Sequence, residues 1–213
     1  MTKPIIKAVT PANADQAVGT IVLAFSADPI ARWFYPDPHE YLLHLPGFVR
    51  EFAGKAFEQC SAYYIDGYLG AALWLPPDVH PDETALAALL QRTIPEKNQQ
   101  EIFAFIEQMD RSHPSEPHWY LPMIGVDPAQ QGKGYGSALL KHALERCDGE
   151  GKLAYLEASS PKSLPLYQRH GFELVSTIQV GPSPPLFPMV RKPQRLVVTK
   201  GEDYPYPTPL EKT

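Results

Sequence analysis

Between Ile124 and Leu140 the chain reads Ile-Gly-Val-Asp-Pro-Ala-Gln-Gln-Gly-Lys-Gly-Tyr-Gly-Ser-Ala-Leu-Leu. Gly132, Gly134 and Gly136 alternate, so no Cβ atoms keep a ligand off that backbone. His118 to Val126, just before, is rich in aromatic and branched residues that suit a strand. Just after, Leu140, Ala143, Leu144 and Cys147 fall on one face of a helix. A helix that opens on a glycine turn points its free N–H groups and its dipole at whatever lies there. This is a site for an anion such as a phosphate or pyrophosphate. The spacing fits neither a Walker loop nor the dinucleotide fingerprint Gly-x-Gly-x-x-Gly.

A second stretch, Tyr155 to Phe172, reads as the end of a strand, a short helix and a stop at Gly171, a good residue for a helix end. It closes on Leu166-Tyr167-Gln168-Arg169-His170-Gly171-Phe172. Gln131-x-x-Gly134-x-Gly136 resembles the Gln/Arg-x-x-Gly-x-Gly/Ala signature of the GNAT superfamily of acyl-CoA-dependent N-acyltransferases, and Leu-Tyr-x-x-x-Gly-Phe resembles its second hallmark. The likeness extends from about Ile5 to Pro193. Phe25-Ser26-Ala27-Asp28-Pro29, Trp74-Leu75-Pro76-Pro77 and Leu156-Glu157-Ala158-Ser159 look like the branch that includes puromycin N-acetyltransferase-like proteins.

The resemblance implies acetyl-CoA as acyl donor and direct transfer of an acetyl group to a small-molecule amine in a ternary complex. It assigns the pyrophosphate to the backbone of Gly132, Lys133, Gly134, Tyr135, Gly136 and Ser137, with Gln131 in the motif. It assigns the pantetheine arm to Ile124, Gly125 and Val126, in a strand that carries a bulge and splays from its neighbour. Tyr167 matches the general acid, and a phenol is protonated at neutral pH. Glu157, at the end of the adjacent strand, is the candidate base if alternation turns it into the cleft. His118 or bulk water are the alternatives. His170 reads better as a helix-end residue facing the dipole. Where many relatives carry an asparagine this chain has Ser159-Ser160-Pro161-Lys162-Ser163, so Ser160 or Ser163 is expected to make that donor contact. A non-catalytic acyl-CoA-binding module is the competing reading.

The elements that must hold these groups follow in order. Ile5 to Val9 reads as a strand. A helix follows, capped by Asn13 with Gln16, and ends at Asp28-Pro29, leaving Trp33-Phe34-Tyr35 in a loop. Tyr41 to Phe57 reads as helix, with a break or fresh start at Pro46. Ala62 to Ile65 and Leu69 to Leu75 form a hairpin around Asp66-Gly67. Asp82 to Gln91 and Pro95 to Met109 read as a helical insertion between strands three and four, beside the acceptor side. Leu153 to Ala158, Phe172 to Val180 and Leu186 to Arg191 complete the strands. The fold class is α/β (α+β): a mixed, mostly antiparallel twisted sheet of about seven strands with helices on both faces, the GNAT fold. The expected division is a domain over 1–195 and a tail over 196–213.

The 213 residues are 44% hydrophobic and 20% charged, an ordinary globular balance. A net charge of −5 argues against a nucleic-acid surface. No run reaches the length of a membrane-spanning helix, and the N-terminus lacks an apolar signal core, so a cytoplasmic monomer or homodimer is expected. The two cysteines have no metal spacing, and Cys147 reads as core.

Overall fold

The computed structural model describes residues 3–194. The expected tail over 196–213 lies outside the described residues. In chain order the elements are β1 (Ile6–Ala8), α1 (Ala14–Ala24), α2 (Pro29–Phe34), α3 (Pro38–Ala53), α4 (Lys55–Glu58), β2 (Ala62–Ile65) and β3 (Gly70–Leu75). There follow α5 (Glu83–Thr93), α6 (Glu96–Asp110), β4 (His118–Val126), α7 (Tyr135–Gly149), β5 (Leu153–Ala158), α8 (Leu164–Gln168), β6 (Glu173–Leu174) and β7 (Phe187–Arg191). The strands form one sheet in the order β1-β2-β3-β4-β5-β7-β6. Every pairing is antiparallel except β4 with β5. The expected seven-stranded mixed sheet, with its helical insertion between the third and fourth strands, is present.

The sheet divides the apolar residues into two cores. On one face Val18, Ile21, Phe34, Phe48, Phe52 and Phe105 from α1, α2, α3 and α6 pack over Leu73, Tyr120 and Tyr155. On the other, Leu139, Leu140, Ala143, Leu144 and Cys147 of α7 pack over Ala72, Trp119 and Leu156. Cys147 is wholly buried in the second core, which pushes its thiol up to about 12. That is packing chemistry rather than nucleophile chemistry.

Several local expectations are corrected. Asp28-Pro29 does not simply end α1; it also starts α2. The Asp28 carboxylate accepts from the N–H groups of Ile30 and Ala31, both at 3.0 Å, and Pro29 takes the first helical position. Trp33 and Phe34 are therefore helical, and Tyr35 ends the helix, buried. Asp37-Pro38 repeats the device for α3. That helix runs through Pro46 without a break, because Tyr41, Leu45, Phe48, Val49 and Phe52 hold one continuous stripe on the core. Asn13 does not cap α1 with Gln16; its side chain turns back to Thr10 in a capping box around a short 3-10 turn. The strand expected over Phe172 to Val180 shrinks to β6 and a single bridge from Ile178 to Leu186. Both β6 residues are exposed at the sheet edge, so no buried face extends the pairing.

The last described residues are tied down by Arg191. Its guanidinium, 4% exposed, grips Asp148 with two bonds of 2.7 and 2.8 Å and donates to the His170 carbonyl at 2.8 Å. Burial alone would raise the Asp148 carboxyl, but Arg191 and the Gln194 N–H hold it below its ordinary value.

Gly125 shows how closely α1 meets the sheet. A Cβ placed there would lie 2.5 Å from the Ala24 Cβ. Gly125→Ala is expected to lower stability by about 1–3 kcal/mol, since neither backbone can give way cheaply. Urea unfolding checks it; an unchanged midpoint would mean α1 slides freely on β4.

Candidate active site

The pairing of β4 with β5 stops early. His118, Trp119 and Tyr120 pair with Leu153, Ala154 and Tyr155, and beyond that point the two strands part. The cause lies on the other edge of β4. Leu73 pairs with Met123 but Leu75 pairs with Tyr120, so β4 holds one extra residue across from β3. Pro122 sits in this bulge and has no N–H to give to a ladder. The bulge also resets alternation: Tyr120 and Met123 both join the core under α1 and α3, whereas Leu121 joins the other.

A cleft of about 630 Å³ occupies the resulting V. Ile124, Gly125 and Val126 form one wall. The glycine turn follows. Gly132 and Gly134 have φ of 77° and 84°, the left-handed region that glycine alone enters cheaply. Gly134 is the N-cap of α7, and no side chain caps it, so the first N–H groups of the helix face the cleft without an internal partner. All the expected donor-binding residues line the cleft except Lys133, whose amine donates to Gln130 at 2.7 Å. Lys162 and Arg169, which the sequence reading passed over, supply the two cationic side chains of the lining. Ser160 and Ser163 are also there, with hydroxyls already engaged: Ser160 accepts from the Lys162 N–H, and Ser163 donates to the Ser160 carbonyl. Among the described residues these donors suit the phosphates and pantetheine arm of an acyl-CoA.

Gly134→Val should weaken acetyl-CoA binding sharply. A branched residue is strained at φ 84°, and its side chain would stand where the backbone meets the pyrophosphate. Calorimetry on the folded variant checks this; unchanged affinity would put the anion site elsewhere.

Tyr167 projects from α8 into the cleft, 7% exposed, with its ring edge-on to Phe172 at 6.0 Å. Burial, and then the charge of Asp28, push its phenol well above the ordinary value. Asp28 is a lining residue to which the sequence reading gave no role in the site. Its second oxygen accepts from the Ser159 hydroxyl, so it joins the start of α2 to the end of β5. His170 donates from Nδ1 to the Leu166 carbonyl at 2.8 Å, as expected at a helix end, and its Nε2 also meets Ser137 Oγ at 2.8 Å.

Glu157 faces the cleft on the Tyr120 and Tyr155 side of the sheet, its side chain 4% exposed. It lies against three rings. His113 Nε2 is 3.3 Å from Glu157 Oε1, near enough for charge pairing but off line for a hydrogen bond. Burial, and then the Glu157 charge, push the phenols of Tyr120 and Tyr155 far up. Glu157 Oε1, Tyr120 Oη and Tyr155 Oη are all buried without a hydrogen-bond partner. Such groups cost about 1–3 kcal/mol each, and a cluster of them at the edge of a cleft marks a site built for more than stability. His118 does not line the cleft; it stands behind His113. Nothing in the sequence singles out His113, and no spacing ties it to Glu157.

A split sheet, an uncapped glycine turn under a helix, and a buried carboxylate and phenol thus share one cleft. The chain belongs to the acetyltransferase (GNAT) family, which it matches over residues 28–172. It is 37% identical over 79 residues to the uncharacterized N-acetyltransferase C550.08 of Schizosaccharomyces pombe, a match covering 36% of this chain and about a third (32%) of that relative. Its fold superposes on a histone acetyltransferase HPA2 and related acetyltransferase from Corynebacterium glutamicum with a TM-score of 0.66 at 24% identity, covering 92% of this chain and all of the other. Arylalkylamine N-acetyltransferase 2 from Aedes aegypti matches with a TM-score of 0.62 at 13% identity, covering 90% and 99%. Among the described residues no helix is long and apolar enough to cross a membrane.

Proposed function

We propose that the protein transfers an acetyl group from acetyl-CoA to the primary amine of a small, largely apolar molecule carrying one positive charge, with an aromatic ring as the favoured body. The observation that carries this reading is the lining around Glu157. Phe34, Phe52, Phe105, Ile106 and Met109 line the same cleft, and among the described residues its one other carboxylate is Asp28, already engaged by Ser159 and the start of α2. One carboxylate without a hydrogen-bond partner, in an apolar wall, matches one ammonium and rejects a chain of them. Phe34 and α6 thus supply the acceptor wall. Trp33 supports it edge-on from Phe105 at 5.3 Å, and α5 backs it through Leu89 and Leu90 in the same core. The likeness to the puromycin-type branch leaves the acceptor open, since a shared fold does not choose a substrate.

Acetyl-CoA would supply the activated acetyl group. Glu157 takes a proton from the acceptor ammonium, directly or through one water. The backbone of β4 beyond the bulge orients the acyl group, and Tyr167 holds a proton for the departing sulfur. The test is release of free thiol from acetyl-CoA with a panel of amines. An arylalkyl monoamine should exceed a linear polyamine by about tenfold or more in kcat/KM. Equal or reversed preference would overturn the acceptor class, and tight acetyl-CoA binding without turnover on any amine would make the protein a binding module.

A further inference from the structure

His170 does not line the cleft; it reaches it through one hydroxyl. Its Nδ1 lies 2.8 Å from the Leu166 carbonyl oxygen, and its Nε2 lies 2.8 Å from Ser137 Oγ. A carbonyl only accepts, so Nδ1 carries a proton whether the ring is neutral or charged. In the neutral ring Nε2 is bare, and the Ser137 hydroxyl must give it its one proton. In the charged ring Nε2 donates instead, and the hydroxyl proton is free to turn away. It turns toward the donor cradle. Ser137 lines the cleft at the third position of α7. The Ala138 N–H bonds the Gly134 carbonyl at 3.0 Å and so makes the first bond of that helix. The N–H groups of Tyr135, Gly136 and Ser137 therefore have no partner inside it. A pyrophosphate only accepts. A hydroxyl that offers it a proton joins those N–H groups, whereas one that offers lone pairs opposes them.

We propose that Ser137 and His170 form a proton-linked clamp on the donor's pyrophosphate: the hydroxyl donates to the phosphate, and His170 takes a proton from solvent at Nε2 and donates it to Ser137 Oγ. This rests on the reading of the glycine turn as the acetyl-CoA site. One proton passes from water to the imidazole for each donor bound, and no other bond changes. His170 is a positioning residue, since it touches the hydroxyl and not the donor. Arg191 fixes the segment that carries the ring by donating to the His170 carbonyl at 2.8 Å. Linkage is reciprocal: a donor that favours the charged ring binds tighter where the ring is charged. Donor affinity therefore falls as pH rises through the range in which imidazoles titrate, about pH 5 to 8. The charged groups around the pair are Lys162 and Arg169 on either side of α8, Lys133 in the glycine turn and Lys141 one turn along α7, with Arg191 of β7 paired to Asp148 of α7. Side chains of these types keep their charge through neutral pH, so the imidazole is the group that titrates there.

Calorimetry of the full chain with acetyl-CoA, in buffers of differing ionisation enthalpy, counts the protons taken up. Between about pH 6 and pH 8 the wild-type dissociation constant should rise about tenfold more than that of His170→Gln. The donor's phosphate monoester also titrates near pH 6, but it does so with both proteins and drops out of the comparison. Ser137→Ala should weaken binding about tenfold at about pH 6 and little at about pH 8, where the wild-type hydroxyl is turned to the ring. A histidine that merely packs would lower affinity alike at every pH. Proton uptake in the wild type equal to that of His170→Gln overturns the clamp, and so does a Ser137→Ala loss that is the same at both pH values. Nitrogen-15 NMR reads the ring itself. Neutral His170 should be the Nδ1–H tautomer, and acetyl-CoA should move its titration to higher pH while leaving His142, on α7 against Tyr63, unmoved. An Nε2–H tautomer overturns the clamp. A wild type that binds no acetyl-CoA overturns the donor reading and the clamp with it, whereas binding without the proton term overturns the clamp alone.

Discussion

Glu157→Gln is expected to lower turnover by about 10²–10⁴-fold at neutral pH while leaving acetyl-CoA affinity intact. Glutamine keeps the size of the side chain in a place where it is 4% exposed, so the packing against His113, Tyr120 and Tyr155 survives. What goes is the negative charge and the ability to take a proton. Two effects combine: the ammonium is held less firmly, and the cleft loses the carboxylate proposed to deprotonate it. The second has its own signature. At alkaline pH more of the amine arrives already neutral, so the gap between variant and wild type should narrow as pH rises. Steady-state thiol release across pH, with calorimetry for the donor, measures both. Turnover close to wild type at pH 7 would remove Glu157 from the mechanism and leave water as the base.

Tyr167→Phe should cost about a hundredfold in turnover with little change in donor affinity, because it keeps the ring against Phe172 and removes only the proton. The pH profile discriminates better than the rate. A phenol in water ionises near pH 10. Burial and the neighbouring Asp28 push Tyr167 higher, so the wild-type rate should hold through pH 10 and fall only above it. The variant should lack that limb. A tyrosine that merely packs would lower the rate without moving the limb, and near-normal turnover would assign the proton to water.

The donor half of the site was legible in the sequence because its chemistry is local. The glycine turn, its helix and Tyr167 lie within short motifs, and β4 and β5 run from His118 to Val126 and Leu153 to Ala158 as periodicity suggested. The acceptor half was not, because it is assembled across long separations. Asp28 meets Ser159 across 131 positions, and His113 meets Glu157 across a strand and a helix. Asp28-Pro29 misled because the same pair that stops one helix caps the next. Pro46 misled because core packing over α3 outweighs the loss of one helical hydrogen bond. Whether Glu157 faced the cleft could not be read from alternation alone; the register of β5 against β4 decides it by setting Tyr155 opposite Tyr120.

The sheet that separates the two cores also separates what can be redesigned. Phe34, Phe105, Ile106 and Met109 belong to one side, whereas α7 and Tyr167 belong to the other. If the proposed acceptor wall is right, a combinatorial library confined to those four positions reshapes it and leaves the glycine turn and α7 untouched. Variants from it should differ widely in preferred amine yet share one dissociation constant for acetyl-CoA. On the proposed reading the protein is a two-part chassis, with a fixed loading port and an exchangeable mould joined at the parted strands.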